Sequence, residues 1–363
     1  MVAVGRLTVL TLDASYGEGG GQILRTALAL SVALRRPVTL RRVRARRPKP
    51  GLQPQHLTAV RALAAISDAQ VSGDALDSTE LSFAPRALRG GDYRFDVGAI
   101  RGSAGSVALL FQALLLPLAM AREPSRLTLL GGTHVPWSPP VHYLGAVFLP
   151  ALRRVGITAE IGLRRWGWYP RGGGLIEARV DPAGDPGAGW RGLRWEARPP
   201  RPLITGVSAV SRLPLSIAER QQRQALARLR VHGLEADIAI VEDAQALGPG
   251  TLLFLATSGE GSLAGFSALG RRGVSAEAVA DEAVEPLLAY LDSGAAVDDH
   301  LADQLVPYLA LAGTPSVLTC PHRTSHLNTV AWTVRQFLPT RIEISDGPPA
   351  RVLVEPAAPS PPG

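Results

Sequence analysis

The sequence predicts a mixed α/β fold in two parts, and three observations carry that expectation. Strand-like and helix-like runs alternate from residue 6 onward. The order strand, helix, strand, helix, strand recurs at least twice before residue 182, as in a repeated unit with helices on one side of mixed sheets. Two Pro/Gly-rich breaks, "DPAGDPGAGW" (181–190) and "ARPPRP" (197–202), then set off a module of different character. At 363 residues the chain is long for one core, and with 46% hydrophobic residues each part can bury its own.

The elements follow in order. "RLTVLTLD" (6–13) reads as a strand. "QILRTALALSVAL" (22–34) is a helix, with Ile23, Ala27 and Leu30 on one face and Leu24 and Leu28 beside them. "PVTLRRVRA" (37–45) is a strand, and "PQHLTAVRALAAIS" (54–67) is a helix with Pro54 suited to its first turn. "QVSGD" and "ELSFAP" are short strands. "SVALLFQALLLPLAMA" is the next helix, "SRLTLLGG" a strand, "HYLGAVFLPALRRVG" a helix, and "TAEIGLRRWGWYP" and "GGLIEARVDP" two strands. This first part runs over 1–185. Beyond it, "LITGVSAVSRLP", "SIAERQQRQALARLR", "ADIAIVED", "TLLFLATS" and "SAEAVADEAVEPLLAYLDS" suggest a small α/β module over 186–285. The larger architecture returns over 286–350 with "HLADQLVPYLALAG", "SVLTC", "HLNTVAWTVRQFLP" and "RIEIS". The tail 351–363 is expected to be disordered.

Composition bounds the function. The formal net charge is +7, nearly all of the positive charge from Arg. Such a balance favours an anionic partner, nucleic acid first. An Arg-rich composition throughout would give the same charge without one. Cys320 is the single cysteine, which excludes an intramolecular disulfide and a thiolate metal cage. "MVAVGRLTVLTLD" has no long apolar stretch of the signal-peptide kind. The longest apolar run, 107–121, contains Gln112 and Pro117 and falls short of a membrane span. A soluble cytoplasmic protein with no membrane partner is expected, its oligomeric state open.

Three stretches carry chemistry. In "DASYGEGGGQILR" four glycines surround Glu18 just ahead of a helix. The loop matches neither the dinucleotide fingerprint nor the P-loop. Its glycines allow positive φ and close backbone approach, and the helix starting near Gln22 points free N–H groups into it. A carboxylate there would repel a bare phosphate, and fits if a divalent cation lies between. A plain turn with a solvated glutamate is the alternative. Gln22 and Arg25 share one face of the first helical turn. In "RRPVTLRRVRARRPKPG", eight of the fifteen residues from Arg35 to Lys49 are basic. The run alternates through a strand and ends in a rigid loop, so Arg44, Arg47, Lys49, Gln55 and His56 can together hold a phosphodiester backbone. In "CPHRTSHLNTVAW", His322 and His326 stand four apart, but without a third ligand or an H-E-x-x-H pattern a zinc site is disfavoured. His326 sits just before an apolar helix, a position from which a side chain projects into a cleft.

Taken together, "DASYGEGGGQILRTALALS", "RARRPKPGLQPQHLTAV", "GGDYRFDVG…GSAGS", "GGT…SPP", "HLADQL" and "SHLNTVAWTVRQFLP" resemble the RNA 3′-terminal phosphate cyclase family, in the family's order and over nearly the whole chain. The resemblance implies a large domain of repeated βαββαβ units, related to the carboxyvinyl transferases, with a smaller inserted α/β domain. It implies an enzyme that uses ATP with Mg2+ or Mn2+ and acts on RNA with a 3′-terminal phosphate. In that chemistry a histidine takes AMP from ATP and passes it to the RNA 3′-phosphate, and the neighbouring 2′-hydroxyl then closes a 2′,3′-cyclic phosphate and releases AMP. By position the nucleophile matches His326, and Glu18 matches a metal- and phosphate-facing carboxylate. Gln112, Pro139 and the run His300, Leu301, Ala302, Asp303 and Gln304 match nucleotide-site positions. Gln22, Arg25, Arg44, Arg47 and His56 match the phosphate- and RNA-facing set.

Three departures bear on the nucleotide site. His300 stands where relatives carry an aromatic residue, and imidazole stacks over less area. "GGTHVPWSPP" lacks the asparagine common in that loop. "FDVGAIRGSAGS" carries about four extra residues before its "GSAGS" turn. Two other readings compete: a non-catalytic relative that serves as an RNA or ribosome-assembly scaffold, and a carboxyvinyl transferase. Neither needs a covalent AMP.

Overall fold

The computed structural model describes residues 9–102 and 104–356. Their strands form four four-stranded mixed sheets. The first unit is β1 (Leu10–Asp13), α1 (Gly21–Leu34), β2 (Val38–Arg41), α2 (Pro54–Ser67), β3 (Gln70–Ser72) and β4 (Glu80–Ala84). Its sheet order is β1-β2-β4-β3, with β1–β2 parallel and the other pairs antiparallel. The parallel pair needs a crossover and α1 supplies it, while β3 and β4 join by a short loop. Val38 and Leu40 point inward from β2, and α1 buries a stripe from Ile23 to Ala33 against α2. Pro54 opens α2, where a capping box joins Gln53 and His56.

The second unit repeats the plan: β5 (Gly91–Asp96), α3 (Val107–Ala119), β6 (Ser125–Gly131), then α4 (Val141–Tyr143) and α5 (Leu149–Val155) joined through a π-helical turn at Leu144–Phe148, then β7 (Ala159–Arg165) and β8 (Gly174–Val180). Its order is β5-β6-β8-β7. The short α6 (Pro186–Gly189) leads to β9 (Arg194–Trp195), the first strand of a third unit. An inserted module follows: β10 (Leu203–Ser211), α7 (Ser216–Val231), β11 (Asp237–Asp243), β12 (Gly250–Gly259), β13 (Ser262–Leu269) and α8 (Ala276–Ser293). The third unit then resumes with α9 (Asp299–Leu309), β14 (Ser316–Cys320), α10 (Ser325–Phe337), β15 (Arg341–Ser345) and β16 (Ala350–Glu355), in the order β15-β16-β14-β9.

The α/β class and the repeated large domain with an insertion are as expected. The order within each unit is β-α-β-α-β-β rather than βαββαβ, because each unit ends on an antiparallel strand pair that needs no helix between its members. The boundaries also move. Trp190 is buried, its carbonyl accepts from Gly313 N at 3.0 Å, and β9 pairs with β14, so residues 190–195 belong to the large domain. The second Pro-rich break is where the insertion begins, and the insertion extends through α8 rather than ending at 285. Residues 351–355 are not tail: β16 lies between β15 and β14 in its sheet. Residues 6–8 of the first expected strand and 357–363 of the tail lie outside the described residues. The expected strand over 37–45 stops at Arg41, because Arg42 and Arg44 take left-handed φ of 57° and 54°.

β12 explains how the insertion attaches. It is apolar on both faces. Leu252, Phe254 and Ala256 join the main core, while Leu253 and Leu255 join a second core under α7 and α8. Asp298 ties the seam, accepting from Tyr143 Oη at 3.0 Å, Gly265 N at 3.0 Å and His300 N at 2.9 Å. No helix of the described residues is long and apolar enough to cross a membrane.

At the same seam His134 and His142 are stacked among aromatic rings. His134 lies on Trp166 with centroids 4.3 Å apart, and His142 faces Phe254 at 6.1 Å. His134 Nε2 and His142 Nδ1 are 3.0 Å apart. Burial pushes the His142 imidazole down to about 4 and holds His134 low as well. The unfolded chain therefore binds more protons than the folded one between pH 6.5 and about 4, and stability falls as pH falls through that window. Urea unfolding should show the loss, and in His142→Gln the decline should be shallower by about 3 kcal/mol at its full extent. Parallel curves for the two proteins would assign the acid sensitivity to other groups.

Candidate active site

Three helices aim their first turns into one cleft of 1230 Å3. α1 brings Gln22 and Arg25, α9 brings His300, Asp303 and Gln304, and α10 brings His326. Gln112 on α3, Pro139 in the loop after β6, and Glu18, Arg44, Arg47 and His56 complete the expected residues in its lining. Twelve of the fourteen expected site residues thus meet in one place. The other two, Leu301 and Ala302, are fully buried in the core on the opposite face of α9 and do not line the cleft.

The glycine loop makes the approach of α1 and α10 possible. Gly17 and Gly19 hold φ of 59° and 56°. A Cβ at Gly17 would stand 2.3 Å from Thr329 Oγ1 on α10. One at Gly21 would stand 2.3 Å from His56 Nε2. The loop therefore lies flat between α10 and the basic arm, and Glu18 projects between them. Arg46 Nη1 donates to Gly17 O at 2.9 Å and fixes the loop's far side.

Glu18 is the hub. Its Oε2 lies 3.2 Å from His326 Nε2 and 3.1 Å from Arg47 Nη2, and its Oε1 accepts from Ser325 Oγ. The Ser325 bond, with the nearby cations, holds its carboxyl below the usual range. His326 is half-buried in the first turn of α10, whose N-cap is Thr324. Burial lowers its pKa, opposed by the Glu18 charge, and so favours the neutral ring.

The anion-facing groups surround this pair. Arg25 is half-buried, its pKa down to about 10 through loss of solvent and opposed by the nearby Asp303 carboxyl, and it stays charged at pH 7. Burial first, and then Asp298, raises the Asp303 carboxyl well above its usual range, and Gln22 Nε2 donates to it at 3.5 Å. Burial, Arg25 and Arg44 push the His56 imidazole down to about 3. Its Nδ1 accepts from Gln53 N at 3.4 Å, so the proton sits on Nε2, which faces Gly21. Arg44 Nη1 donates to Lys49 O at 2.6 Å and Gly51 O at 3.0 Å, which folds the basic run into an arm beside the loop.

Gln55, singled out with the basic run, also lines the cleft and holds the α3 entrance by accepting from Ser106 N at 3.2 Å. Other lining residues carried no sequence signal of their own. Phe266 to Leu269 of β13 and the following Gly270 and Arg271, with Glu282 and Pro286 of α8, form a wall from the inserted module. Only its position across the sheet seam brings that wall to the cleft. His322 points elsewhere: it is exposed and pairs with Asp299 at 2.9 Å. Among the described residues, three polar atoms of the lining are buried without a partner: Gln112 Nε2, Gln304 Oε1 and Arg47 Nε.

Because Glu18 raises the His326 pKa, its removal should lower it further. In Glu18→Gln the His326 ring should titrate at lower pH than in the parent protein, read from the ring-proton shifts by NMR. An upward shift would separate the two side chains in solution.

A family model described as RNA 3′-terminal phosphate cyclase matches residues 16–344. A protein of Methylococcus capsulatus named RNA 3′-terminal phosphate cyclase is 47% identical over 347 residues, 93% of each chain. One of the same name from Pyrobaculum neutrophilum is 43% identical over 94% of this chain and 96% of its own. Another, from Gloeothece citriformis, is 42% identical over 93% and 96%.

Proposed function

This chain belongs to the RNA 3′-terminal phosphate cyclase family, and from that premise we propose that it is an ATP-dependent cyclase that works through a covalent AMP on His326. The observation that carries the reading is the half-buried His326 ring, its Nε2 3.2 Å from a hydrogen-bonded Glu18, with Arg25 and Arg47 in the same cleft beside the N-termini of α1 and α10. A neutral imidazole has a free lone pair, and the surroundings favour the anions it would attack.

In the first half-reaction a ring nitrogen of His326 attacks the α-phosphorus of ATP. A P–N bond forms, the P–O bond to pyrophosphate breaks, and pyrophosphate leaves with the electron pair. In the second, an oxygen of the RNA 3′-phosphate attacks the same phosphorus and the electron pair of the P–N bond returns to the ring. The terminal 2′-hydroxyl then attacks the activated RNA phosphate, loses its proton, and AMP departs. Glu18 orients the ring throughout, and Ser325 and Arg47 orient Glu18.

The remaining residues sort by what they offer. Gln112 Nε2 and Gln304 Oε1 are an unpaired donor and acceptor, the set that the N1 and N6 edge of adenine satisfies. Pro139 and His300 supply faces for the ring. Arg25, Arg44, Arg47 and His56 supply donors to RNA and nucleotide phosphates. Glu18 offers one carboxylate next to the N-terminus of α1, which suits Mg2+ or Mn2+ shared with phosphate oxygens. When bound, such a cation neutralises triphosphate charge.

Incubation with ATP labelled in the α-phosphate, then denaturing electrophoresis, tests the reading. The parent protein and His322→Ala should carry label, and His326→Ala should carry none and should not cyclise RNA. The bond should be acid-labile and survive alkali. A parent protein that takes no label would instead be a scaffold or a carboxyvinyl transferase.

The two arginines should separate. Arg44 does not contact Glu18, so Arg44→Ala should weaken RNA use several-fold, flatten its salt dependence and leave self-adenylation near the parent level. Arg47 lies 3.1 Å from Glu18, so Arg47→Ala should lower both half-reactions. Equal loss of both in Arg44→Ala would move that residue to the ATP side.

A further inference from the structure

Trp137 breaks two rules at once. Its side chain is 97% exposed, whereas the other five tryptophans are buried or half-buried. Its φ is 58°, left-handed, where a bulky residue is an outlier. Nothing in the core needs this residue, since the ring packs into no core cluster and stacks on no other ring among the described residues. Yet it lines the cleft, between Pro136 and Ser138, with Pro139 and Pro140 next. Three prolines fix the loop on both sides, so the ring is held outward by stiff backbone. Strained backbone and an unburied apolar face persist where a ligand uses them.

The depth of the cleft says which ligand. Gln112 Nε2 and Gln304 Oε1 are closed off from solvent, so a base that pairs with them lies deep. A ring that is almost wholly in solvent lies at the mouth. A mononucleotide is consumed inside. A polynucleotide whose 3′ end reaches His326 must leave across the lip, with its bases unpaired and their faces free. Indole is the largest side-chain surface for such a face, and its stacking tolerates any base. The basic arm supplies phosphate contacts but no surface for a base.

We propose that Trp137 is the stacking platform for one base among the last three nucleotides of the RNA, and that it positions the strand for the reaction without touching the reacting atoms. The proposal rests on the RNA-cyclase reading above. It makes the enzyme favour single-stranded 3′ ends, because a base stacked on both sides within a duplex has no face free for the indole.

The test uses the full chain, a 3′-phosphorylated RNA oligonucleotide, and three versions with a single abasic site at the last, second-last or third-last position. In the parent protein one abasic position should weaken RNA binding, read by fluorescence anisotropy, on the order of tenfold. Trp137→Ala should weaken binding of the intact RNA by the same factor, and that abasic site should then add nothing. Trp137→Phe should recover most of the loss. Self-adenylation and the KM for ATP should not move in either variant. Unchanged RNA binding in Trp137→Ala overturns the proposal, as do losses that add across all three abasic positions. A raised KM for ATP overturns it too, and would give the ring to the nucleotide. A parent protein that binds the RNA but takes no AMP would instead sink the cyclase reading and leave the stacking result to stand on the binding data.

Discussion

The site depends on the close approach of the first and last units of the large domain, where the glycine loop ahead of α1 lies against α10. Gly17 allows it twice over. It adopts a left-handed φ of 59°, and it leaves room for Thr329, whose hydroxyl would stand 2.3 Å from a Cβ. Only with that approach do Glu18 and His326, 308 residues apart in the chain, come within 3.2 Å. The stacked rings of Tyr16 and Trp332, with centroids 4.2 Å apart, pin the same two segments beside it.

Electrostatics follow from this packing. Several ionisable side chains are taken out of water around the cleft, and each is answered by a neighbour or neutralised. Arg25 keeps its charge opposite Asp303, His56 and His326 give theirs up, and Glu18 keeps its own because three donors face it. The result is a floor with an uncharged imidazole beside arginines, which is the state that the proposed attack on a phosphate ester requires.

The inserted module is less an appendage than a wall. β12 is apolar on both faces because it packs against α7 and α8 on one side and the large domain on the other. That seam, tied by Asp298 and the aromatic stack around His134 and His142, carries β13 to the edge of the cleft. The proline-flanked loop that bears Trp137 lines the same cleft.

Much of this was legible in the sequence. Periodicity identified the helices and most strands, because apolar spacing is a local consequence of which face is buried. The six motifs in register placed His326, Glu18 and the basic residues in one site, and the structure gathers twelve of the fourteen expected residues there. What failed was long-range. The unit order, the boundary at 197–202 rather than 181–190, and the inclusion of 351–355 in a sheet all depend on strand pairings between distant segments, which no local pattern encodes. Leu301 and Ala302 were assigned with their neighbours, but a helix turns 100° per residue and these two face the core. The strand expected over 37–45 ended early because two arginines took left-handed backbone that only the arm's tertiary bonds hold. Sequence alone therefore determined the local elements and the motifs that carry the candidate residues. Tertiary structure decided which of them share a cleft, because burial and charge at a site are set by neighbours brought from elsewhere in the chain.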